Sequence, residues 1–154
     1  MAIIIFILTI AISLYAMYKN QSLLSKMMFS PYNAVHHGKW QTLITSGFVH
    51  ADIAHLAFNM FTFYFFAFKL EDVVGSAKFL IIYFGSMILA DITSLLKHKD
   101  NPSYRSLGAS GAISGVIFSF VLYFPESKMM IMPIPIPLPA ALFGVLYLAW
   151  SYYA

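Results

Sequence analysis

The sequence predicts an all-α membrane protein that crosses the bilayer several times. Of its 154 residues, 60% are hydrophobic and only 10% are charged, and the mean hydropathy is +0.78. Soluble domains carry about 25% charged residues, so a soluble fold of this length could not bury so much apolar surface. The apolar residues also gather in long runs, which are typical of helices that cross the hydrocarbon core.

Five apolar segments are candidates for membrane-spanning helices, because a helix needs about 20 residues to cross the hydrocarbon core. We expect them to form a single transmembrane domain over residues 1–154, and they comprise residues 2–18, 53–70, 77–96, 108–124 and 138–154. The first segment has neither the basic start nor the small-residue cleavage site of a signal peptide, which predicts a retained helix. The short turn around Gly75 makes the second and third segments antiparallel neighbours.

Two connecting stretches differ in composition from these segments. Residues 19–49 are too polar to span the bilayer and too aromatic for a plain linker. We expect this loop to fold on the membrane surface, with Tyr32 and Trp40 at the interface. Before the fifth segment, alternating prolines exclude a helix and predict an extended linker; they are Pro133, Pro135, Pro137 and Pro139.

The charged residues are few and dispersed. Nine Lys and Arg against six Asp and Glu give a net charge of +3, and no basic run suggests a nucleic-acid partner. Cysteine is absent, so disulfides and thiolate metal sites are excluded. With the N-terminus inside, six basic residues would lie outside and three inside, so the positive-inside rule favours the N-terminus outside.

A first polar cluster lies where the second segment begins, and it contains His50, Asp52, His55 and Asn59. His55 and Asn59 are four residues apart, so they share one helix face, and both can donate hydrogen bonds to a negative oxygen. Polar groups within spans mark function by default, although they can also simply tie two helices together. A metal site is disfavoured, because there is no HExxH pattern and the two histidines lack helical spacing.

Small residues form a second cluster, from Gly108 to Gly115. Gly111 and Gly115 have the spacing that lets two helix backbones approach closely, so packing alone is one interpretation. The other interpretation concerns Ser110, which we expect near a helix N-terminus just after the polar loop 97–106. There its hydroxyl could act as a nucleophile, and the unpaired N–H groups of the first helical turn would favour a developing oxyanion.

The two clusters together resemble the rhomboid intramembrane serine proteases, most clearly between residues 40 and 115. The motifs that carry the resemblance are Gly108-x-Ser110-Gly111 followed by Gly115, with His50 and His55-x-x-x-Asn59 upstream. Gln41 departs from the Trp-Arg pair that the family often has in its first loop. The resemblance implies a rhomboid-like polytopic helix bundle, of which five of six transmembrane helices are present. It also implies a cytoplasmic N-terminus, and we favour this orientation over the opposite one that the charge count indicates.

The resemblance also implies the roles of individual residues. Ser110 would be the nucleophile, His55 and Asn59 would help to stabilise the oxyanion, and the supporting residues would be Gly108, Gly111 and His50. The implied reaction is hydrolysis of a peptide bond within or beside a transmembrane segment of a protein substrate, without a metal or organic cofactor. The implied partners are such substrates and the lipid bilayer, and the sequence does not specify an oligomeric state.

The general base is where this chain departs from the family, which uses a histidine on a sixth helix. No histidine follows His98, and the chain stops at Ala154 within an apolar segment. We therefore expect a fragment of a longer protease, a multi-pass protein of the cell membrane, with its base beyond residue 154. The alternative is an inactive rhomboid-like protein that binds client helices. His55 is disfavoured as the base, because it cannot easily both accept the proton and donate to the oxyanion.

Overall fold

The structure is a computed structural model that describes the backbone of residues 1–131 and 134–153, and the side chains of residues 1–128 and 137–153. Its elements follow one another as α1 (Ala2–Tyr18), α2 (Gln21–Met27), α3 (Pro31–His37), α4 (Thr42–Thr45), a 3-10 helix (Ser46–Phe48), α5 (Ile53–Val74), α6 (Ser76–His98), α7 (Ser110–Tyr123), β1 (Lys128–Ile131), β2 (Ile134–Pro139) and α8 (Ala140–Tyr153).

The predicted all-α class is confirmed, since the strands of the described residues form only a short hairpin. The five long helices coincide with the five apolar segments of the sequence. Two of them, α5 and α6, are long and apolar enough to cross a membrane, whereas α1, α7 and α8 are apolar but shorter. Exposed apolar side chains such as Ile81 (72% exposed) and Leu122 (83% exposed) lie on the outside of the bundle, as expected for a protein whose solvent is lipid.

Glycine and a carboxylate form the predicted turn between α5 and α6. Gly75 has a φ of +82°, which side chains other than glycine rarely adopt. The adjacent Glu71 accepts hydrogen bonds from the N–H of Ala2 (2.8 Å) and from Ser76 Oγ (2.7 Å). The start of α1 is therefore held against the corner where α5 turns into α6.

The core of the bundle surrounds α7, which packs against α5, α6 and α8. Aromatic rings fill much of it: Phe66 of α5 meets Phe120 of α7 edge-to-face at 5.0 Å and Phe143 of α8 at 5.4 Å. Such pairs contribute about 0.5–1.5 kcal/mol beyond the burial of their area. The aromatic run of the second apolar segment thus fixes α5 against both later helices.

The loop 19–49 folds into short helices with recognisable caps. Asn20 accepts from the N–H of Leu23 at the start of α2, and Ser30 accepts from the N–H of Asn33 at the start of α3. A bridge between Phe29 and Ser106 joins this loop to the one that precedes α7. Its position on the membrane surface stays a prediction.

Pro135, Pro137 and Pro139 lie in the extended strand β2 and not in a helix, as predicted from their missing N–H groups, whereas Pro133 lies outside the described residues. This strand, β2, pairs antiparallel with β1, which was not predicted from the sequence. Because the prolines of β2 alternate, the residues between them keep their N–H groups on one edge. Ala140 is the next residue in this alternation after Leu138, so its N–H lies on the same edge, where it donates to the carbonyl of Ser127 at 2.9 Å.

Glycines allow α7 to approach α6 closely, in agreement with the predicted packing role of the GxxxG pair. A Cβ added to Gly111 would lie 2.7 Å from Cβ of Ala90, and one added to Gly115 would overlap the side chain of Ser86. Since real Cβ atoms do not approach so closely, larger residues would force the two helices apart. The first turn of α7 is thereby fixed at one level of α6.

We expect Gly115→Ala to lower the free energy of unfolding by about 1–3 kcal/mol, because overpacking forces backbone shifts. The matched control is Gly85→Ala on α6, where an added Cβ meets nothing within 4 Å. That change should leave the stability unaltered or raise it by about 0.5–1 kcal/mol through helix propensity. Unfolding in mixed detergent micelles, followed by circular dichroism, measures both variants. Equal effects of the two substitutions would contradict the close packing.

Candidate active site

The predicted nucleophile lies at the start of a helix and at the edge of a cavity. Ser110 is the first residue of α7 and is half-buried. It lines a cavity of about 410 Å³ together with His55 of α5, Gly108 of the preceding loop and Gly111 of α7. The structure thus brings together four of the six site residues that the sequence predicted.

Gly108 makes the close approach between this loop and α5 possible. Its φ is +110°, a conformation that residues with a side chain rarely adopt. A Cβ at this position would lie 2.8 Å from Cε1 and 2.9 Å from Nε2 of His55. A larger residue would therefore be strained and would also push the imidazole out of the cavity.

The first turn of α7 offers unpaired backbone donors beside Ser110. The first of the helical hydrogen bonds runs from the N–H of Ile113 to the carbonyl of Ala109, at 2.9 Å. The N–H groups of Ser110, Gly111 and Ala112 precede it, so they have no partner within the helix. Together with the positive end of the helix dipole, they favour negative charge at this position.

His50 braces the loop before α7 from below. It is fully buried, and its Nε2 accepts a hydrogen bond from the N–H of Ala109 at 3.3 Å. Its Nδ1 lies 2.9 Å from Oγ of Ser13 on α1. Because that hydroxyl donates its proton to the carbonyl of Phe48 (2.9 Å), it must accept from Nδ1, which fixes the neutral tautomer of His50.

Burial keeps this histidine uncharged. Desolvation, with a smaller contribution from neighbouring His55, lowers the pKa of His50 to about 3, while Asp52 opposes the shift. A proton on Nε2 would also break the hydrogen bond from Ala109, since that nitrogen would no longer be an acceptor. His50 therefore holds Ser110 in place through the neighbouring residue and is not exposed to the cavity that Ser110 lines.

His55 differs from His50 in being accessible. It lies in the first turn of α5, where Asp52 caps the helix by accepting from the N–H of His55 at 2.8 Å. Its ring is half-buried and packs edge-on against His50 (5.0 Å between centroids) and Trp150 of α8 (5.8 Å). The imidazole can thus present a nitrogen to the cavity.

Asn59 lies one turn further along α5, on the same face as His55, but it is completely buried. Its Nδ2 donates to the carbonyl of His55 at 3.0 Å, and its Oδ1 accepts from the hydroxyl of Tyr147 at 2.8 Å. Asn59 is not among the residues that line the cavity with Ser110. In this structure it ties α5 to α8, which is the helix-tying interpretation of the polar cluster.

The arrangement gives no support to the alternative of a metal site at His50, Asp52 and His55. Both ring nitrogens of His50 are engaged by Ser13 and by the backbone of Ala109. Over residues 1–131 and 134–153, no group of three or more His, Asp or Glu side chains is placed to hold a metal ion.

Three residues in and around the site are not among those predicted from the sequence. Ser13 and Tyr147 lie in apolar helices far along the chain from their partners His50 and Asn59, and only the fold brings them together. Asp91 of α6 lines the same cavity as Ser110. An isolated carboxylate in the third apolar segment was the available signal for it, since charged groups within spans mark function by default.

Comparison with known proteins matches the sequence of this chain to a family. The family model described as the Rhomboid domain matches residues 37–154. YdcA of Bacillus subtilis is 37% identical over 106 residues, which cover 63% of this chain and 52% of YdcA. Rhomboid protein 1, mitochondrial, of Saccharomyces cerevisiae is 32% identical over 116 residues, covering 71% of this chain and 33% of that protein.

A further relative is Rhomboid protease GluP of Bacillus subtilis, which is 33% identical over 96 residues, covering 62% of this chain and 18% of GluP. The chain thus spans about half of the length of YdcA and a smaller share of the other two relatives.

The brace at His50 predicts a pH dependence of stability. The folded state cannot bind the proton that the unfolded histidine takes up near pH 6.5, so the free energy of unfolding should fall from about pH 6.5 down to about pH 3. One such group gives a slope of up to about 1.4 kcal/mol per pH unit. His50→Gln should remove this slope, as measured by unfolding in mixed micelles between pH 8 and 4.

Ser13→Ala is the matched control for that experiment. It removes the acceptor of Nδ1 and should lower stability at pH 7 while the titrating imidazole remains. A wild-type slope equal to that of His50→Gln would contradict a neutral, buried His50.

Proposed function

This chain belongs to the rhomboid family, and we propose that it is an intramembrane serine endopeptidase that cleaves transmembrane or membrane-adjacent segments of proteins. One observation carries the proposal: Ser110 begins α7 at the edge of a cavity, beside unpaired backbone N–H groups and the imidazole of His55. A nucleophile and oxyanion donors are two of the three parts that acyl transfer by a serine requires, and the third is a general base.

In the proposed reaction, a substrate segment unwinds locally at the cavity, because a peptide bond within a helix is poorly accessible to attack. The hydroxyl oxygen of Ser110 then bonds to the carbonyl carbon, and the carbonyl oxygen becomes an oxyanion. A base takes the hydroxyl proton during the attack and returns it to the leaving nitrogen, so that collapse of the tetrahedral intermediate breaks the C–N bond, releases an amine and leaves an acyl-enzyme. Water subsequently hydrolyses the ester and restores the serine.

The oxyanion would be stabilised from two sides. The N–H groups at the start of α7 would donate from one element and the imidazole of His55 from another, since Ser110, Gly111 and His55 line the same cavity. For Asn59 to contribute, its buried amide would have to exchange its present partners, the carbonyl of His55 and the hydroxyl of Tyr147. We propose that Asn59 acts mainly by fixing the turn of α5 that carries His55.

We assign the proton acceptor to neither histidine of the site. The buried His50 is already hydrogen-bonded at both ring nitrogens, so it cannot take the serine proton without losing the brace. His55 is needed as an oxyanion donor in the same step. The histidine of a sixth helix that the family resemblance implies stays a prediction.

The proposed environment is a lipid bilayer in which the chain is a multi-pass protein, with transmembrane proteins as its substrates. The two helices long enough to span, α5 and α6, and the exposed apolar side chains support it. We place it in the cell membrane, although several relatives are named as mitochondrial proteins. No metal or organic cofactor takes part in the proposed reaction.

Ser110→Ala should abolish both cleavage of a transmembrane substrate and covalent labelling by a fluorophosphonate, which reacts with activated serines. The control is Ser119→Ala on the same helix, which should retain both. Mass spectrometry of the natively expressed, labelled protein locates the adduct. Cleavage that persists in Ser110→Ala would refute the proposal. Peptide binding without labelling or cleavage in the wild type would instead favour the client-binding alternative.

His55→Ala should slow cleavage by about 10–1000-fold, the usual effect of removing one oxyanion donor, without a comparable loss of stability. Asn59→Ala should slow cleavage and also destabilise the bundle. Tyr147→Phe separates these effects, because it removes the hydrogen bond to Oδ1 of Asn59 and leaves the amide in place. Single-turnover rates and unfolding in micelles are the measurements. An unchanged rate in His55→Ala would exclude it from the oxyanion site.

A further inference from the structure

A carboxylate of α6 faces the cavity of the proposed nucleophile, and the proposed reaction does not use it. Asp91 is half-buried and lies within the spanning helix Ser76–His98. A charged group is costly at such a position, so its presence there indicates a function. From its placement we infer that Asp91 is a specificity residue, which binds a lysine or arginine side chain of the substrate close to the bond that is cleaved. The inference rests on the proposed function, because the cavity is taken to receive the substrate segment.

The contact between α6 and α7 places Asp91 at the same level along the bundle as the proposed nucleophile. The neighbouring residue Ala90 faces Gly111, where an added Cβ would lie only 2.7 Å from Cβ of Ala90. Gly111 follows Ser110 directly, so the cavity wall at Asp91 lies level with the first turn of α7. A side chain bound there belongs to a residue adjacent to the reacting carbonyl.

Two hydroxyl groups line the cavity together with Asp91. Ser94 lies three residues further along α6, on the same face of the helix, and its Oγ is 3.2 Å from the hydroxyl of Tyr104. Both residues line the cavity. Hydroxyl oxygens accept hydrogen bonds from an ammonium or guanidinium group, so the carboxylate would supply the charge and the hydroxyls the remaining acceptors.

Among the described side chains, none forms an ion pair with Asp91. The ion pairs of the described side chains join Glu71 to the N-terminal amine and Asp100 to His36. Arg105 also lines the cavity, but its Nη1 donates to Oγ of Ser30 (3.0 Å) and to backbone carbonyls of its own loop. The carboxyl group of Asp91 is thus available to a ligand.

A cation is the ligand that this environment favours. A charge pair that is shielded from water interacts more strongly than one at the surface. The same carboxylate would repel a substrate with Asp or Glu at that position, which adds specificity by exclusion. The cavity of about 410 Å³ is within the usual size range of binding pockets, and an extended lysine side chain is narrow enough to enter it beside the main chain.

Binding experiments on an inert protein test the inference separately from catalysis. The probes are Leu/Ala-based transmembrane peptides with one Ala-Gly pair, in which Lys, Met or Glu occupies each of four successive positions before that pair. Their dissociation constants are measured in micelles with the Ser110→Ala protein, alone and combined with Asp91→Asn. Asp100→Asn is the matched control, since it neutralises an exposed carboxylate outside the cavity.

We expect the Lys peptide at one position to bind at least about 10-fold more tightly than the Met peptide, and the Glu peptide to bind most weakly. Asp91→Asn should abolish this preference and leave the affinity for the Met peptide within about threefold, which also shows that the variant is folded. Asp100→Asn should retain the preference.

Cleavage of the same peptides by the protein with Ser110 intact should follow the same order. Equal affinities for Lys and Met peptides at all four positions, or a preference that survives Asp91→Asn, would overturn the inference even if the peptides are cleaved. A Lys preference that depends on Asp91, with no cleavage by the natively expressed protein, would support the binding role of Asp91 and refute the proposed protease.

Discussion

The fold depends on how closely the start of α7 can approach its neighbours. Gly108 leaves room for the imidazole of His55, and Gly111 and Gly115 leave room for α6. A side chain at any of the three would move the first turn of α7 away from the cavity. Close packing of small residues is also the main source of helix association in lipid, where burial of apolar surface contributes little. The same contacts therefore stabilise the bundle and position Ser110.

Buried polar groups complete this arrangement. A series of hydrogen bonds joins α1 to the loop before α7, across nearly one hundred residues of sequence. It runs from the carbonyl of Phe48 through Ser13 and His50 to the N–H of Ala109. Each member has its partner, so the low dielectric of the interior strengthens the series. Loss of a single member would leave a buried donor or acceptor unpaired, at a typical cost of about 1–3 kcal/mol. The loop before α7 is therefore held both by hydrogen bonds to His50 and by close packing of Gly108 against His55.

Much of the fold could be predicted from the sequence, because each long helix is a mainly apolar segment and the turn at Gly75 is short. The small residues around Ser110 likewise indicated a helix start with close packing. The hairpin of β1 and β2 was not predictable in this way, because residues 128–131 carry no sequence pattern that indicates a strand paired with the proline-containing segment. Nor could the sequence indicate that Tyr147 reaches Asn59, because that contact depends on how α8 packs against α5.

The two histidines of the polar cluster show why a motif identifies residue types more readily than their roles. His50 and His55 are five residues apart and their rings touch, yet one is fully buried with both nitrogens bonded and the other faces a cavity. The difference arises from the backbone: His50 lies in the loop before α5, beneath Ala109, whereas His55 lies on the first turn of the helix. A histidine whose nitrogens are already paired can position a neighbour, and only one with a free nitrogen can serve the reaction. Within the same motif, therefore, burial and paired nitrogens give His50 a structural role and leave the imidazole of His55 available for the proposed reaction.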